Sequence, residues 1–138
     1  MLPRILIVDD EAPTRELVSL HLRKRGFDVT AARMVCEARE YLESSEFDLA
    51  ILDIDLAGEN GLDLLLHARR VRPTLPVIMF TGLHIDEDLL QEAKSRGAHG
   101  CMSKLQPMSD LAAEVHRLTK KQQGEAPNEQ AGGQKTGQ

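Results

Sequence analysis

Short, unbroken apolar runs alternate with longer amphipathic segments along this chain, and that alternation constrains its fold more than any other feature. Ile5 to Val8 is the first run and Val29 to Ala32 a weaker second. Leu49 to Leu52 is a third, extended by Ile54, and Val77 to Phe80 follows Pro76 as a fourth. A fifth, weak run spans Gly100 to Ser103. Apolar runs this short, bounded by turn residues, fit strands buried on both faces, as in a parallel sheet.

The segments between them have helical spacing. Leu62, Leu65, Leu66 and Arg69 follow an i, i+3, i+4, i+7 pattern whose last member is an arginine stem. Leu111, Val115 and Leu118 repeat it, as do Val35, Ala38 and Leu42; Leu90 and Ala93 sit three apart in a charged stretch. Each is an amphipathic face with charge opposite. Pro13 suits a first helical turn. Gly26 and Gly97 each follow a basic helix end, as expected for a left-handed stop with cations near a helix C-terminus. The order is β-α repeated five times, which predicts right-handed βαβ units around a parallel sheet. Ligands of such sheets bind beyond the carboxyl ends of the strands.

Polar residues stand at those ends. The first strand runs into Asp9 and Asp10, the third into Asp53, the fourth into Thr81 and Gly82, and the fifth into Lys104. An acid after a strand often only caps a helix. Here four such ends meet at one sheet edge. Three carboxylates a few Å apart repel by several kcal/mol at an intermediate dielectric, so one takes a proton or a cation sits among them. All-oxygen donors suit Mg²⁺, which binds through one or two carboxylates and phosphate oxygens. Lys104 adds a positive point charge, Thr81 a hydroxyl, and Gly82 close access to backbone. A cation, a lysine and a hydroxyl around one aspartate describe a site for a phosphoryl group on Asp53, formed by carboxylate attack on phosphorus.

Charge and composition exclude other classes. Seventeen Lys plus Arg against 22 Asp plus Glu leave a net charge of −5, a poor electrostatic match to nucleic acid. No apolar run approaches the ~18 residues of a membrane span. Met1 to Arg4 leads straight into the first run, so neither a signal nor a transit peptide is expected, and the expected location is cytoplasmic. Cys36 and Cys101 match no metal or redox spacing. One domain over residues 1–122 is expected. Residues 123–138 hold four Gly and four Gln but no Ile, Leu, Val or Phe, and are expected to form a disordered polar tail.

With these motifs in order, the chain resembles the receiver domain of two-component response regulators. The resemblance covers roughly Arg4 to Lys121. It rests on Ile5 through Glu11, on Leu49 through Gly61 around Asp53, on Pro76 through Gly82, and on Lys104. It implies a flavodoxin-like, doubly wound α/β fold: a five-stranded parallel sheet, order 2-1-3-4-5, with five helices. It further implies Asp53 as phosphoacceptor and Mg²⁺ as cofactor. Asp10 would be the direct metal ligand with Asp53, Asp9 would help through water, and the Asp55 backbone carbonyl would be a third protein ligand. Thr81 and Lys104 would contact phosphoryl oxygens. The implied donor is a sensor histidine kinase or histidine phosphotransfer protein. The implied output is binding of a downstream protein target, or a phosphorelay; no attached output domain is expected, since the tail over 123–138 is too short and too polar to be one.

The chain departs from the family at three places. Cys101 replaces an aromatic three residues before the lysine, and reads as a core filler. Leu105 replaces the proline that usually follows the lysine in a cis bond, and Ala57 stands where a proline is usual. The Asp55 carboxylate is expected near the phosphoryl group, where its charge would change the lifetime of an aspartyl phosphate. His84 lies close to Thr81 in sequence; the other histidines have no ligand spacing. Arg69, Arg70 and Arg72 read as solvated helix-end charge, and Asp86, Glu87, Asp88 and Glu92 as an acidic stripe suited to a basic partner face. Two rival readings remain. One is an interaction module that works without phosphorylation. The other is a haloacid-dehalogenase-like phosphatase, whose DxD strand Asp53-Ile54-Asp55 resembles; there, however, that strand opens the chain and an acidic pair follows the lysine.

Overall fold

The computed structural model describes residues 1–124. Most of the tail expected over 123–138 therefore lies outside the described residues. Five strands, β1 (Arg4–Val8), β2 (Asp28–Ala32), β3 (Leu49–Leu52), β6 (Val77–Thr81) and β7 (Gly100–Ser103), form one sheet in the order β2-β1-β3-β6-β7. All its pairings are parallel. Counted among these five alone, this is the expected 2-1-3-4-5 order. Between β3 and β6 the chain adds a small antiparallel hairpin, β4 (Asp55–Leu56) and β5 (Glu59–Asn60). The helices are α1 (Ala12–Lys24), α2 (Val35–Ser44), α3 (Gly61–Val71), α4 (Glu87–Ser95) and α5 (Met108–Gly124), the last running two residues past the expected domain end.

The continuous apolar runs are explained by two cores, one on each face. Leu6, Val8, Ala50, Leu52, Val77 and Met79 pack with α2 and α3 residues on one side. Their neighbours Ile5, Ile7, Leu49, Ile51, Ile78 and Phe80 pack with α1 and α5 residues on the other. The period of two sends alternate residues of each strand to opposite cores. Cys101 joins the first core half-buried, as a filler, and burial pushes its thiol pKa up.

Three sequence expectations change here. Ile54 does not extend β3, because the chain leaves the sheet after Leu52 to build the hairpin. The buried stripe of α3 is Gly61, Leu64, Leu65 and Ala68, with Leu62 beside it; Leu66 is 40% exposed. The same i, i+3, i+4, i+7 pattern thus starts one residue earlier than the leucine spacing predicts, because Gly61 opens the helix against the sheet. The third concerns Arg69 and Arg72, which are not merely solvated. Arg69 donates to the carbonyls of Pro73 (2.7 Å), Leu75 (2.8 Å) and Gly97 (2.9 Å). Arg72 donates to those of Leu42 and Ser45. Both guanidiniums satisfy carbonyls that helix ends and loops leave without partners. Gly97, in the left-handed region at φ 106°, stops α4 as its basic flank predicts.

Candidate functional site

The carboxyl ends of β1, β3, β6 and β7 converge on a cavity of about 150 Å³ lined by Asp10, Glu11, Asp53, Asp55, Thr81 and Lys104, with Gly82 and Leu83 beside Thr81. The sheet sets these positions. The Asp53 N–H donates to the Val8 carbonyl, so the acceptor leaves β3 directly beside the end of β1. The Lys104 N–H donates to the Thr81 carbonyl at 2.8 Å, which ties the β7 end to the β6 end.

Asp9 and Asp53 are buried, whereas Asp10 is exposed. One carboxylate oxygen from each of the three lies within 4.8 Å of the others. The Asp53 Oδ1 accepts the Ile54 N–H at 2.7 Å, and its Oδ2 accepts from Lys104 Nζ at 2.7 Å. Lys104 Nζ also lies 2.9 Å from an Asp9 oxygen and 2.9 Å from a Glu11 oxygen. Burial pushes the Asp53 carboxyl above its ordinary range, against the pull of Lys104; the nearby Asp9 charge adds to the rise. Burial alone would lower the Lys104 pKa. Its hydrogen bonds to Asp53, Asp9 and Glu11 outweigh that and hold it well above the usual lysine value.

Thr81 is fully buried at the cavity wall. Its hydroxyl accepts the Leu83 N–H at 3.0 Å, which leaves its own O–H as the donor it can offer. Asp55 is exposed on the cavity, and its carboxylate accepts the Gly58 N–H at 3.4 Å. The Asp9, Asp10, Asp53, Thr81 and Lys104 side chains are thus gathered in one place, with Asp55 in the cavity lining and its carboxylate on the Gly58 amide of the hairpin. The histidine near Thr81 in sequence does not line the cavity; Leu83 does.

Three features of the site were not read from the sequence. Glu11 binds Lys104; an acid directly after an acidic pair was the available signal. The Ala57 N–H donates to Asp10 Oδ2 at 3.1 Å. Ala57 and Gly58 form the two-residue turn of the β4–β5 hairpin with φ of 53° and 89°, the positive pair such turns require. A proline at position 57 has no N–H to offer Asp10 and cannot reach that φ. The third feature is the loop after Lys104, where Leu105 replaces proline. No described peptide bond is cis. Ser103 closes the turn instead, its Oγ accepting the Leu105 N–H at 3.0 Å and its N–H donating to Gln106 Oε1 at 3.1 Å.

Comparisons with known proteins bear on the family and the fold. The family described as the response regulator receiver domain matches residues 5–116. The chain is 36% identical over 127 residues to the response regulator protein PilR of Pseudomonas aeruginosa, covering 90% of this chain and 28% of that protein. It is 32% identical over 123 residues to the phosphate regulon transcriptional regulatory protein PhoB of Escherichia coli, covering 88% of this chain and 53% of that one. The chain thus spans between about a quarter and a half of the length of these relatives. A CheY-like receiver domain protein from Methanospirillum hungatei superposes with a TM-score of 0.84 at 29% identity, over 89% of this chain and 98% of that one.

Proposed function

Because the chain belongs to the response regulator receiver family, we propose that it accepts a phosphoryl group on Asp53 from a sensor histidine kinase or histidine phosphotransfer protein. It then signals by binding a protein target or passing the group along a relay. The observation that carries this reading is the Asp53 carboxylate, buried, held by Lys104 and flanked by Asp9, Asp10 and Thr81 at one cavity. In the transfer, an Asp53 oxygen forms a bond to phosphorus as the donor's P–N or P–O bond breaks, and the electron pair leaves with the donor atom. Lys104 and the Thr81 hydroxyl offer donors to the phosphoryl oxygens. The oxygen donors of Asp10 and Asp53, with Asp9 behind them and the Asp55 carbonyl, fit Mg²⁺, which supplies charge neutralisation on the transferring group. The bound phosphoryl hydrolyses slowly or moves on, so the protein acts as a signalling acceptor rather than as a turnover enzyme. Leu83 beside Thr81 and the 92%-exposed Leu105 beside Lys104 give a partner apolar contact next to the reacting atoms.

The test is incubation with Mg²⁺ and acetyl phosphate followed by intact-mass measurement. One base-labile phosphoryl adduct is expected, absent without magnesium and absent in Asp53→Asn. No adduct, even with histidine kinases supplied as donors, would leave an interaction module. A second expectation concerns Asp55. Asp55 lines the cavity, and a carboxylate there repels an incoming hydroxide-like water. Asp55→Asn should therefore shorten the adduct's half-life by roughly two- to tenfold, the range of about 0.4–1.4 kcal/mol that one screened charge supplies. Equal decay rates for the two proteins would remove Asp55 from the account.

A further inference from the structure

Lys104 carries three N–H donors, and three carboxylates lie within 2.9 Å of its nitrogen. Three carboxylate oxygens already crowd the ammonium, those of Asp53 and Glu11 as hydrogen-bond acceptors and that of Asp9 as an ion-pair partner, so a phosphoryl oxygen must displace one of them. Asp9 and Asp53 are buried, with side chains 2% and 6% exposed, and their other oxygens already accept the Glu11 and Ile54 N–H groups. Glu11 differs from both. Its side chain is 62% exposed, so leaving Lys104 returns it to water. It is also free of structural duty at the start of α1: it occupies the N-cap position, but its side chain makes no capping hydrogen bond. Its only recorded side-chain partner among the described residues is Lys104.

Resting on the phosphoacceptor reading, we propose that Glu11 is a positioning residue that holds one Lys104 donor and yields that donor to the phosphoryl group, so that it sets how readily Asp53 is charged. Glu11 reaches Lys104 from across the cavity, 93 positions away in sequence. In the resting state it helps neutralise the ammonium and holds it over Asp53. On arrival of a phosphoryl group, an oxygen of that group replaces the Glu11 oxygen as acceptor, and the freed carboxylate swings outward. The chemistry at phosphorus is unchanged; only the competition for Lys104 is new. Glu11 therefore raises the donor concentration needed for half-maximal uptake and leaves the maximal rate alone.

Uptake from acetyl phosphate, followed by intact mass with saturating Mg²⁺, is compared in the native protein, Glu11→Ala and Glu11→Asp. Glu11→Asp keeps the charge but is one methylene too short to reach Lys104. Both variants should lower the half-saturating donor concentration by roughly two- to fivefold, the worth of one partly exposed ion pair, at an unchanged maximal rate. Beryllofluoride, a non-transferring phosphoryl mimic, should bind both more tightly by the same factor. A Glu11→Asp protein that matches the native one while Glu11→Ala is faster would mean that charge at a distance acts, not the bond to Lys104, and would overturn the proposal. So would an unchanged Glu11→Ala. A native protein that gains no adduct and binds no beryllofluoride would instead sink the phosphoacceptor reading beneath it.

Discussion

Gly61→Ala should lower unfolding stability by at least about 3 kcal/mol and the melting temperature by about 10 °C or more. A Cβ at position 61 collides with the Asp53 carbonyl oxygen and comes within 2.9 Å of the Asp53 carbonyl carbon and the Ile54 Cα. These are backbone atoms at the end of a central strand, so no flexible side chain can move aside. The Gly61 N–H also donates to the Ile54 carbonyl at 2.6 Å, closing the base of the β4–β5 hairpin on α3. Relief requires moving either the start of α3 or the peptide that carries the acceptor. Gly58→Ala is the internal control. Its site is open, and its only penalty is the left-handed φ of 89°, about 1–2 kcal/mol. Urea unfolding of both variants reads the contrast; equal losses would mean that contact with Asp53 does not govern position 61. A Gly61→Ala protein that still folds should take up phosphoryl groups far more slowly, since its acceptor is displaced.

Lys104→Met should cost about 2–4 kcal/mol at pH 7.5, because it removes the cation from beside two buried carboxylates. The loss should depend on pH in a direction that linkage fixes. Asp53 already titrates above its unfolded range, so the folded protein holds that proton more tightly than the unfolded chain. Such a group costs stability as pH rises from the unfolded carboxyl range through the folded value, and costs nothing below both. Removing Lys104 pushes the folded value higher and enlarges that penalty. Lys104 itself has a raised pKa, so its contribution is complete below the ordinary lysine range and constant between pH 5 and 8. The gap between native and variant should therefore be widest near pH 7.5 and narrow toward pH 5, and Mg²⁺ should recover part of it at neutral pH. A gap that stays constant from pH 5 to 7.5 in denaturant titrations would show that lost packing, not lost charge pairing, accounts for the destabilisation.

The sheet and most of the site were legible in sequence for one reason. A strand buried on both faces is continuously apolar, so its end is marked by the first polar residue. That rule places Asp9, Asp53 and Thr81 together; Lys104 follows a weaker, half-buried strand whose last residue, Ser103, is already polar, so only its position after that run pointed to it. The rule does not reach contacts made by backbone. The Ala57 amide on Asp10 depends on a positive φ that alanine does not advertise. The Arg69 guanidinium binds carbonyls, and every residue has one, so no partner residue type signalled it. The one-residue shift of the α3 stripe arose because Gly61, with no side chain, counts as apolar contact in the fold but carries no hydrophobic signal in the sequence.

Arg69 also bears on α4. Its guanidinium fastens the carbonyl of Gly97, just past the end of that helix, to the end of α3 and the approach to β6. The helix buries one residue, Ala93, close to this fastened end. Its opposite end starts from Asp86, five residues after Thr81, and is exposed. The two ends of α4 are therefore held by different means: the Gly97 end by the Arg69 guanidinium, and the Asp86 end by its own cap on the Leu89 N–H and by Leu89 packed against the core.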